Sequence, residues 1–264
     1  MADNTSNFEF RFGGIGRLYG ADGLERLRNA HVCIVGIGGV GSWAVESLVR
    51  SAIGKLTLVD LDDVCESNIN RQIHAVDGVI GQPKTEAMAA RCRLINPECT
   101  VRVLHSFYTS KTAETILNTH YDYVFDAIDS VNHKVDLIAR CRRLKIPIIS
   151  SGGAGGRMDI SQIKIADLTR SHNDRLLARV RKKLRQEYNF PRNEKRRFQV
   201  PCIYSPEDAV YPEACELDEE KTSHRLDCSS GYGAATHITG TFGFMAAAHI
   251  VKKIAMTKHQ VDQS

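Results

Sequence analysis

The run His-Val-Cys-Ile-Val-Gly-Ile-Gly-Gly-Val-Gly at residues 31–41 constrains the fold more than any other stretch of the chain. A short apolar segment over 31–36 reads as a strand, and its bounding glycines set it apart from a buried helix. Gly36, Gly38, Gly39 and Gly41 follow at once, and a helical pattern runs over 40–50. In a strand–turn–helix unit of this kind the glycines let the backbone pass close to a phosphate. The helix N-terminus then offers unpaired N–H groups to its charge. A second strand over 55–60 ends at Asp60, about 20 residues past the turn, where an acidic residue can take ribose hydroxyls.

The alternation continues. Residues 83–94 read as a helix with Pro83 in its first turn, and 99–104 alternate apolar and polar residues as a half-buried strand does. A helix over 111–119, a strand over 121–125, a helix over 131–144 and a strand over 147–150 complete the series. The fold class this implies is α/β: a Rossmann-like, doubly wound, mostly parallel sheet with a C-terminal extension. Past Gly152 the rhythm changes to a strand-like stretch over 159–167, a basic helix, an apolar strand near 199–204 and a long loop rich in Pro and acidic residues. Residues 1–150 are expected to hold an N-terminal segment and the nucleotide-binding domain. Residues 151–264 are expected to form the substrate-facing part and to complete the same sheet. The apolar stretch 234–251 reads as a buried helix with no stable membrane insertion, since its length is at the lower limit for a span.

Composition supports a packed core: 264 residues, 42% hydrophobic and 25% charged. Disorder, collagen-like repeats and a disulfide scaffold are set aside on those figures. Eight cysteines are scattered with no CxxC and no Cys/His cluster at zinc spacing, so no zinc is expected. The opening residues carry neither a basic nor an apolar leader pattern, so reduced thiols and a cytoplasmic location are the expectation.

The formal charge of +4 says little, but its distribution says more. Ten Lys and Arg residues fall within positions 175–197, against only Glu187 and Glu194. So one-sided a block reads as a surface facing a polyanion, with Arg179, Lys182, Lys183, Arg185, Lys195, Arg196 and Arg197 as candidate nucleic-acid contacts; a solvated helix face is the bland alternative.

Alone, the glycine turn fits NAD, FAD or ATP, and the absence of GxxxxGK[ST] excludes a P-loop. The polar set that follows favours a triphosphate. Asp62, Asn68 and Arg71 lie in or beside the segment 67–72, Lys84 lies in Gly-Gln-Pro-Lys at 81–84, and Asp129 closes Asp-Ala-Ile-Asp at 126–129. A triphosphate calls for Arg and Lys on its phosphates and an acidic residue for Mg²⁺, whereas a nicotinamide calls for an apolar slot.

At this combination the sequence resembles the ubiquitin-activating-type adenylation superfamily, including its bacterial ThiF and MoeB members. GIGGVG, DLDDVCESNINRQ, GQPK and DAIDS occur in the family order. The resemblance implies ATP and Mg²⁺ as cofactors and attack of a carboxylate on the α-phosphate. It assigns Gly36, Gly38, Gly39 and Gly41 to phosphate approach, Asp60 and Asp62 to the nucleotide, Asn68, Arg71 and Lys84 to the triphosphate, and Asp129 to the metal. Arg17 resembles an arginine lent across a homodimer interface, and Cys228 falls where the superfamily carries a loop cysteine, with a structural thiol as the alternative. Sulfur-carrier activators have paired CxxC motifs that are missing here.

The basic block, NRQIHA, SGGAGG and TFGFMAAAH instead resemble the branch that dehydrates threonylcarbamoyladenosine in tRNA. This implies modified tRNA as substrate and partner, and sulfur-transfer proteins of the CsdA/CsdE type as further partners. The competing readings are an adenylyltransferase acting on a ubiquitin-like sulfur carrier and, in another class, an NAD(P) oxidoreductase or a non-catalytic nucleotide-binding module.

Overall fold

The computed structural model describes residues 5–193, 195–211 and 232–257. Helices α1 (Thr5–Tyr19) and α2 (Ala21–Asn29) precede β1 (His31–Val35) and α3 (Gly39–Arg50). Then come β2 (Lys55–Val59), α4 (Lys84–Ile95), β3 (Thr100–Leu104), α5 (Ala113–Leu117), β4 (Tyr123–Asp126), α6 (Val131–Arg143) and β5 (Ile148–Ser151). The chain continues through β6 (Lys164–Asp167), α7 (Arg175–Glu187), β7 (Pro201–Tyr204) and α8 (Thr236–Ala255).

All seven strands form one sheet in the order β3-β2-β1-β4-β5-β7-β6. Every pairing is parallel except β6 with β7. The chain therefore winds outward from β1 in one direction, then restarts at β4 and winds in the other. In open parallel sheets the crevice at such a reversal is where ligands bind. Register places Val35 beside Val59 and Asp126, so the loops after β1, β2 and β4 leave the same carboxyl edge.

The sheet is buried on both faces, and β1 shows how. Val32 and Ile34 point into a core shared with α3, α4 and α8, while Cys33 and Val35 point into a second core with α5, α6 and α7. Helix α8 buries Ile238, Phe242, Ala246, Ala247, Ile250 and Val251 on one face against α3. Its small residues allow the two backbones to come close, and Gly240 lies against the Trp43 ring. No helix among the described residues is long and apolar enough to cross a membrane.

The structure departs from the sequence expectations at several edges. The helix expected over 111–119 is only Ala113–Leu117. It begins late because Thr109 and Thr112 trade backbone and side-chain hydrogen bonds in a turn. The strand expected over 121–125 is Tyr123–Asp126, since Asp122 carries its carboxylate to the His31 N–H and ties the entry to β1. The segment expected as one strand over 159–167 opens instead with a single 3₁₀ turn, Ile160–Gln162, because Asp159 accepts hydrogen bonds from the Ser161 N–H and hydroxyl.

Candidate active site

The turn between β1 and α3 is the hub. Gly36 has φ of +95°, and a side chain there would meet the Ala127 carbonyl oxygen at 2.8 Å. At Gly41 a Cβ would stand 1.8 Å from the Gly36 carbonyl oxygen, so only glycine lets α3 begin this close to its own turn.

Three groups close around that turn. The Ile37 N–H donates to Asp60 Oδ2 at 2.6 Å and the Asp62 N–H donates to Asp60 Oδ1 at 2.9 Å. Burial pushes the Asp60 carboxyl up, while the nearby Lys84 charge and these two N–H groups pull it down. Lys84 is only 6% exposed and places Nζ 2.8 Å from Asp62 Oδ2. On a second side, the Arg71 Cγ would be 3.4 Å from a Cβ at Gly39. The Trp43 indole N–H donates to the Arg71 carbonyl at 3.0 Å, and Arg71 Nη1 donates to Ser67 O at 2.6 Å and to Asn70 Oδ1 at 2.9 Å. On the third side, the exposed Asp129 follows the Ala127 carbonyl that touches Gly36.

The turn therefore has Asp60, Asp62 and Lys84 linked on one side, Arg71 against Gly39 on a second and the 127–129 loop on the third. Asn68 is buried, and its side-chain oxygen accepts the Cys65 N–H at 3.1 Å. That oxygen is committed to the loop, so Asn68 shapes the corner that carries Arg71. Arg17 is not brought to the turn by its own chain. Its helix α1 packs at the opposite edge of the sheet, where Arg11 donates to the Ile95 carbonyl at the end of α4 and Tyr19 lies beside Gly23 near Ala255. Cys228 lies outside the described residues.

Sequence reasoning missed the support beneath the crevice. Lys134 and Asp126 are both fully buried, with Nζ 2.8 Å from Oδ2. The Ser150 hydroxyl donates to Asp126 Oδ2 at 2.7 Å, and the Ile128 N–H donates to Oδ1 at 3.1 Å. The Asp126 carboxylate therefore fixes the loop that presents Asp129. An aspartate closing a buried strand, with a lysine eight residues on in the next helix, was the available signal. His74 is also buried, with neither ring nitrogen hydrogen-bonded among the described residues. Burial first, then the Lys84 and Arg91 charges, push its pKa down to about 4, so the ring stays neutral next to these cations.

The basic block divides into exposed and committed cations. Arg179, Lys182, Lys195, Arg196 and Arg197 are exposed. Lys183 bonds Asn132 and pairs with Glu187, Arg185 stacks on Phe198, and Arg181 turns inward to Ser171 and the Leu168 carbonyl. A notch of about 420 Å³ between Arg181, Lys182, Arg185 and Arg192 has no acidic lining. A second cavity, about 1430 Å³, opens at the amino edge of the sheet between Asp122, Arg142 and His249 and contains none of the expected site residues.

Known proteins share this chain's sequence and fold along nearly its whole length. The sequence profile of the ThiF family matches residues 15–263. The tRNA threonylcarbamoyladenosine dehydratase of Haemophilus influenzae is 52% identical over 252 residues, covering 96% of each chain. The crystal structure of the E. coli tRNA N6-threonylcarbamoyladenosine dehydratase TcdA in complex with ATP is 45% identical, with a TM-score of 0.85 and 96% of each chain covered. The same E. coli enzyme in complex with AMP gives a TM-score of 0.85 over 96% of this chain. With the glycine crevice at the switch point of its sheet, this chain belongs to the ThiF family, in the branch of the tRNA threonylcarbamoyladenosine dehydratases.

Proposed function

We propose that the protein dehydrates threonylcarbamoyladenosine in tRNA to its cyclic form at the expense of ATP. The free threonyl carboxylate attacks the α-phosphorus and pyrophosphate leaves. An atom of the neighbouring carbamoyl group then attacks the acyl carbon, loses its proton and expels AMP, closing a five-membered ring. The carboxylate oxygen departs in AMP, so the substrate loses one water overall. Hydroxide is a poor leaving group and AMP a good one, and the tethered nucleophile gains from high effective molarity.

One observation carries this reading: Asp60, Arg71, Lys84 and the 127–129 loop converge on a single glycine turn in a chain 52% identical to a named dehydratase. Within it, the turn and the first N–H groups of α3 take the phosphates. Asp60 takes the ribose, and Asp62 holds Lys84 for the triphosphate while Asn68 sets the Arg71 corner. Arg71 and Lys84 match charge that grows on the departing pyrophosphate.

Among the described residues no group of three or more His, Cys, Asp or Glu side chains is poised to hold a metal. A lone carboxylate still fits Mg²⁺, which typically binds through one or two carboxylates plus substrate phosphates. Asp129 is exposed and makes no hydrogen bond to another described residue, so it would hold that ion, which supplies charge neutralisation on the polyphosphate.

Arg17 serves the partner's crevice in a homodimer. Its own helix α1 leaves Phe10 91% and Leu18 71% exposed, an apolar stripe suited to a second copy. The exposed cations of 179–197 contact the tRNA backbone. Cys228 is not required by the in-line chemistry. The protein works in the cytoplasm, and docking of sulfur-transfer proteins of the CsdA/CsdE type is a further proposal from the family resemblance. The test is mass spectrometry of tRNA nucleosides after incubation with ATP. Loss of one water from threonylcarbamoyladenosine, with AMP formed in equal amount, is expected; AMP formation with a Gly-Gly-ending carrier and none with tRNA would overturn the reading.

A further inference from the structure

Beside the adenylation crevice lies a second cluster whose polar groups are unmatched. After β5 the chain turns through a glycine loop, residues 152–156, at the same carboxyl edge, and then enters Arg157. Arg157 is 8% exposed, and among the described residues only Nη2 has a partner, the Asn173 carbonyl at 3.0 Å. Nε and Nη1 are buried with no hydrogen-bond partner among the described residues. Buried polar groups in folded proteins are nearly always satisfied, and a charged one left bare calls for a missing counter-group.

The surroundings name the kind of group. The Arg175 guanidinium lies 5.2 Å from the centre of the Tyr211 ring, and Tyr211 and Tyr232 rings stand 5.0 Å apart with their hydroxyls hydrogen-bonded at 2.9 Å. Tyr232 presses on Gly155 and Gly156 so closely that a Cβ at either would come within 3.0 Å of its side chain. A half-exposed Tyr211 ring, backed by the partly buried Tyr232 and flanked by arginines, is the equipment for a base and its anion, since stacking accepts the base and the guanidinium accepts the charge.

The cluster is also wired to the adenylation crevice. The Gly156 N–H donates to the Gly233 carbonyl at 2.7 Å, and the next carbonyl, of Ala234, accepts Asn70 Nδ2 at 2.9 Å. Thr236 then donates to the Asn70 carbonyl. Four consecutive residues, 233–236, therefore span from the Arg157 loop to the residue before Arg71.

We infer that Arg157, Arg175, Tyr211 and Tyr232 form the acceptor subsite for the RNA: a tyrosine face stacks on a base, and Arg157 binds an anionic oxygen of the same nucleotide. This rests on the RNA reading above. The anion is either the carboxylate to be adenylated or a backbone phosphate, which have the same hydrogen-bonding chemistry.

The test uses the full-length protein, ATP and an anticodon stem-loop RNA with or without threonylcarbamoyladenosine. For R157A, R175A and Y211A the KM for modified RNA should rise about tenfold, the scale of one lost stacking or charge contact, while the KM for ATP stays at the wild-type value. Arg175 and Tyr211 are exposed, so their variants keep the question answerable even if R157A folds poorly. If R157A weakens binding of modified RNA alone, the anion is the carboxylate; if it weakens both RNAs equally, it is a phosphate. An unchanged RNA KM in R175A and Y211A, with the wild type turning over, overturns the inference. Failure of the wild type to dehydrate the RNA would instead overturn the function on which it rests.

Discussion

Replacing Lys134 by Met isolates the support under the crevice. Lys134 and Asp126 are both 0% exposed, and Nζ lies 2.8 Å from Asp126 Oδ2 and 3.2 Å from Ser150 Oγ. Met keeps most of the side-chain volume and removes the charge. Asp126 then retains the Ser150 hydroxyl and the Ile128 N–H, but its charge is buried without a counter-ion. Breaking a buried pair from one side costs about 3–5 kcal/mol, chiefly because the remaining charge is uncompensated. With a urea m-value of about 2–3 kcal/mol/M, the unfolding midpoint should fall by on the order of 1–2 M, measured without nucleotide. The double variant D126N/K134M removes both charges and should recover part of that loss. Its recovery tests the reasoning directly: a double variant less stable than K134M, or a K134M midpoint within about 0.3 M of wild type, would show that charge pairing is not what holds this loop.

Other outcomes follow from the same geometry. R71A and D129N should each lose ATP–pyrophosphate exchange by at least about a hundredfold while melting like the wild type, since one removes charge from the phosphates and the other the metal ligand. If Arg17 works across a dimer, mixing inactive R17A with inactive D129N should restore up to a quarter of the activity by statistical assortment into mixed dimers; no recovery on subunit exchange would place Arg17 outside the chemistry. Reversing Arg179, Lys182 and Arg196 to Glu should weaken tRNA binding and flatten the log–log salt dependence by roughly 3 units, on a scale of about 0.9 per phosphate contact; an unchanged slope would move the RNA elsewhere. His74 has a folded pKa of about 4 against an ordinary value near 6.5, so the unfolded chain binds the extra proton between those values. Stability is therefore full above about pH 6.5 and is lost as pH falls toward 4, by about 3 kcal/mol at the low end. H74Q should show a shallower acid loss in urea titrations over that window, and an identical slope would contradict the assignment.

The architecture was legible where periodicity is enforced by burial on two faces. β1 had to be an apolar run because Val32 and Ile34 enter one core while Cys33 and Val35 enter the other. Helices α3, α4, α6 and α7 declared themselves through the same logic. The hairpin of α1 and α2 was not anticipated, and its composition explains why. α1 contains three glycines, Gly13, Gly14 and Gly16, which disfavour a helix interior by roughly 1 kcal/mol each relative to alanine. Tertiary packing offsets that: Phe8 and Phe12 are buried with Ala52, and Arg28 stacks on Phe8.

The site was legible in its residues but not in their division of labour. Spacing could place Asp60, Arg71, Lys84 and Asp129 after strand ends, because strand ends share one edge. It could not show that Asp60 already receives two backbone N–H groups, that Asp62 holds Lys84, or that Asn68 has given its oxygen to Cys65. Those pairings, at 2.6–3.1 Å, depend on how tertiary packing sets the loops against one another. The same limit hid Arg157, which in the sequence is one more arginine behind a glycine loop and in the fold is a buried guanidinium with two nitrogens unmatched among the described residues. A charge count locates a surface that attracts RNA, but only burial distinguishes a cation that steers from one that must hold an anion. On that criterion the exposed Arg179 and Lys182 are proposed to set the salt dependence of association, and the buried Arg157 to select the nucleotide presented to ATP.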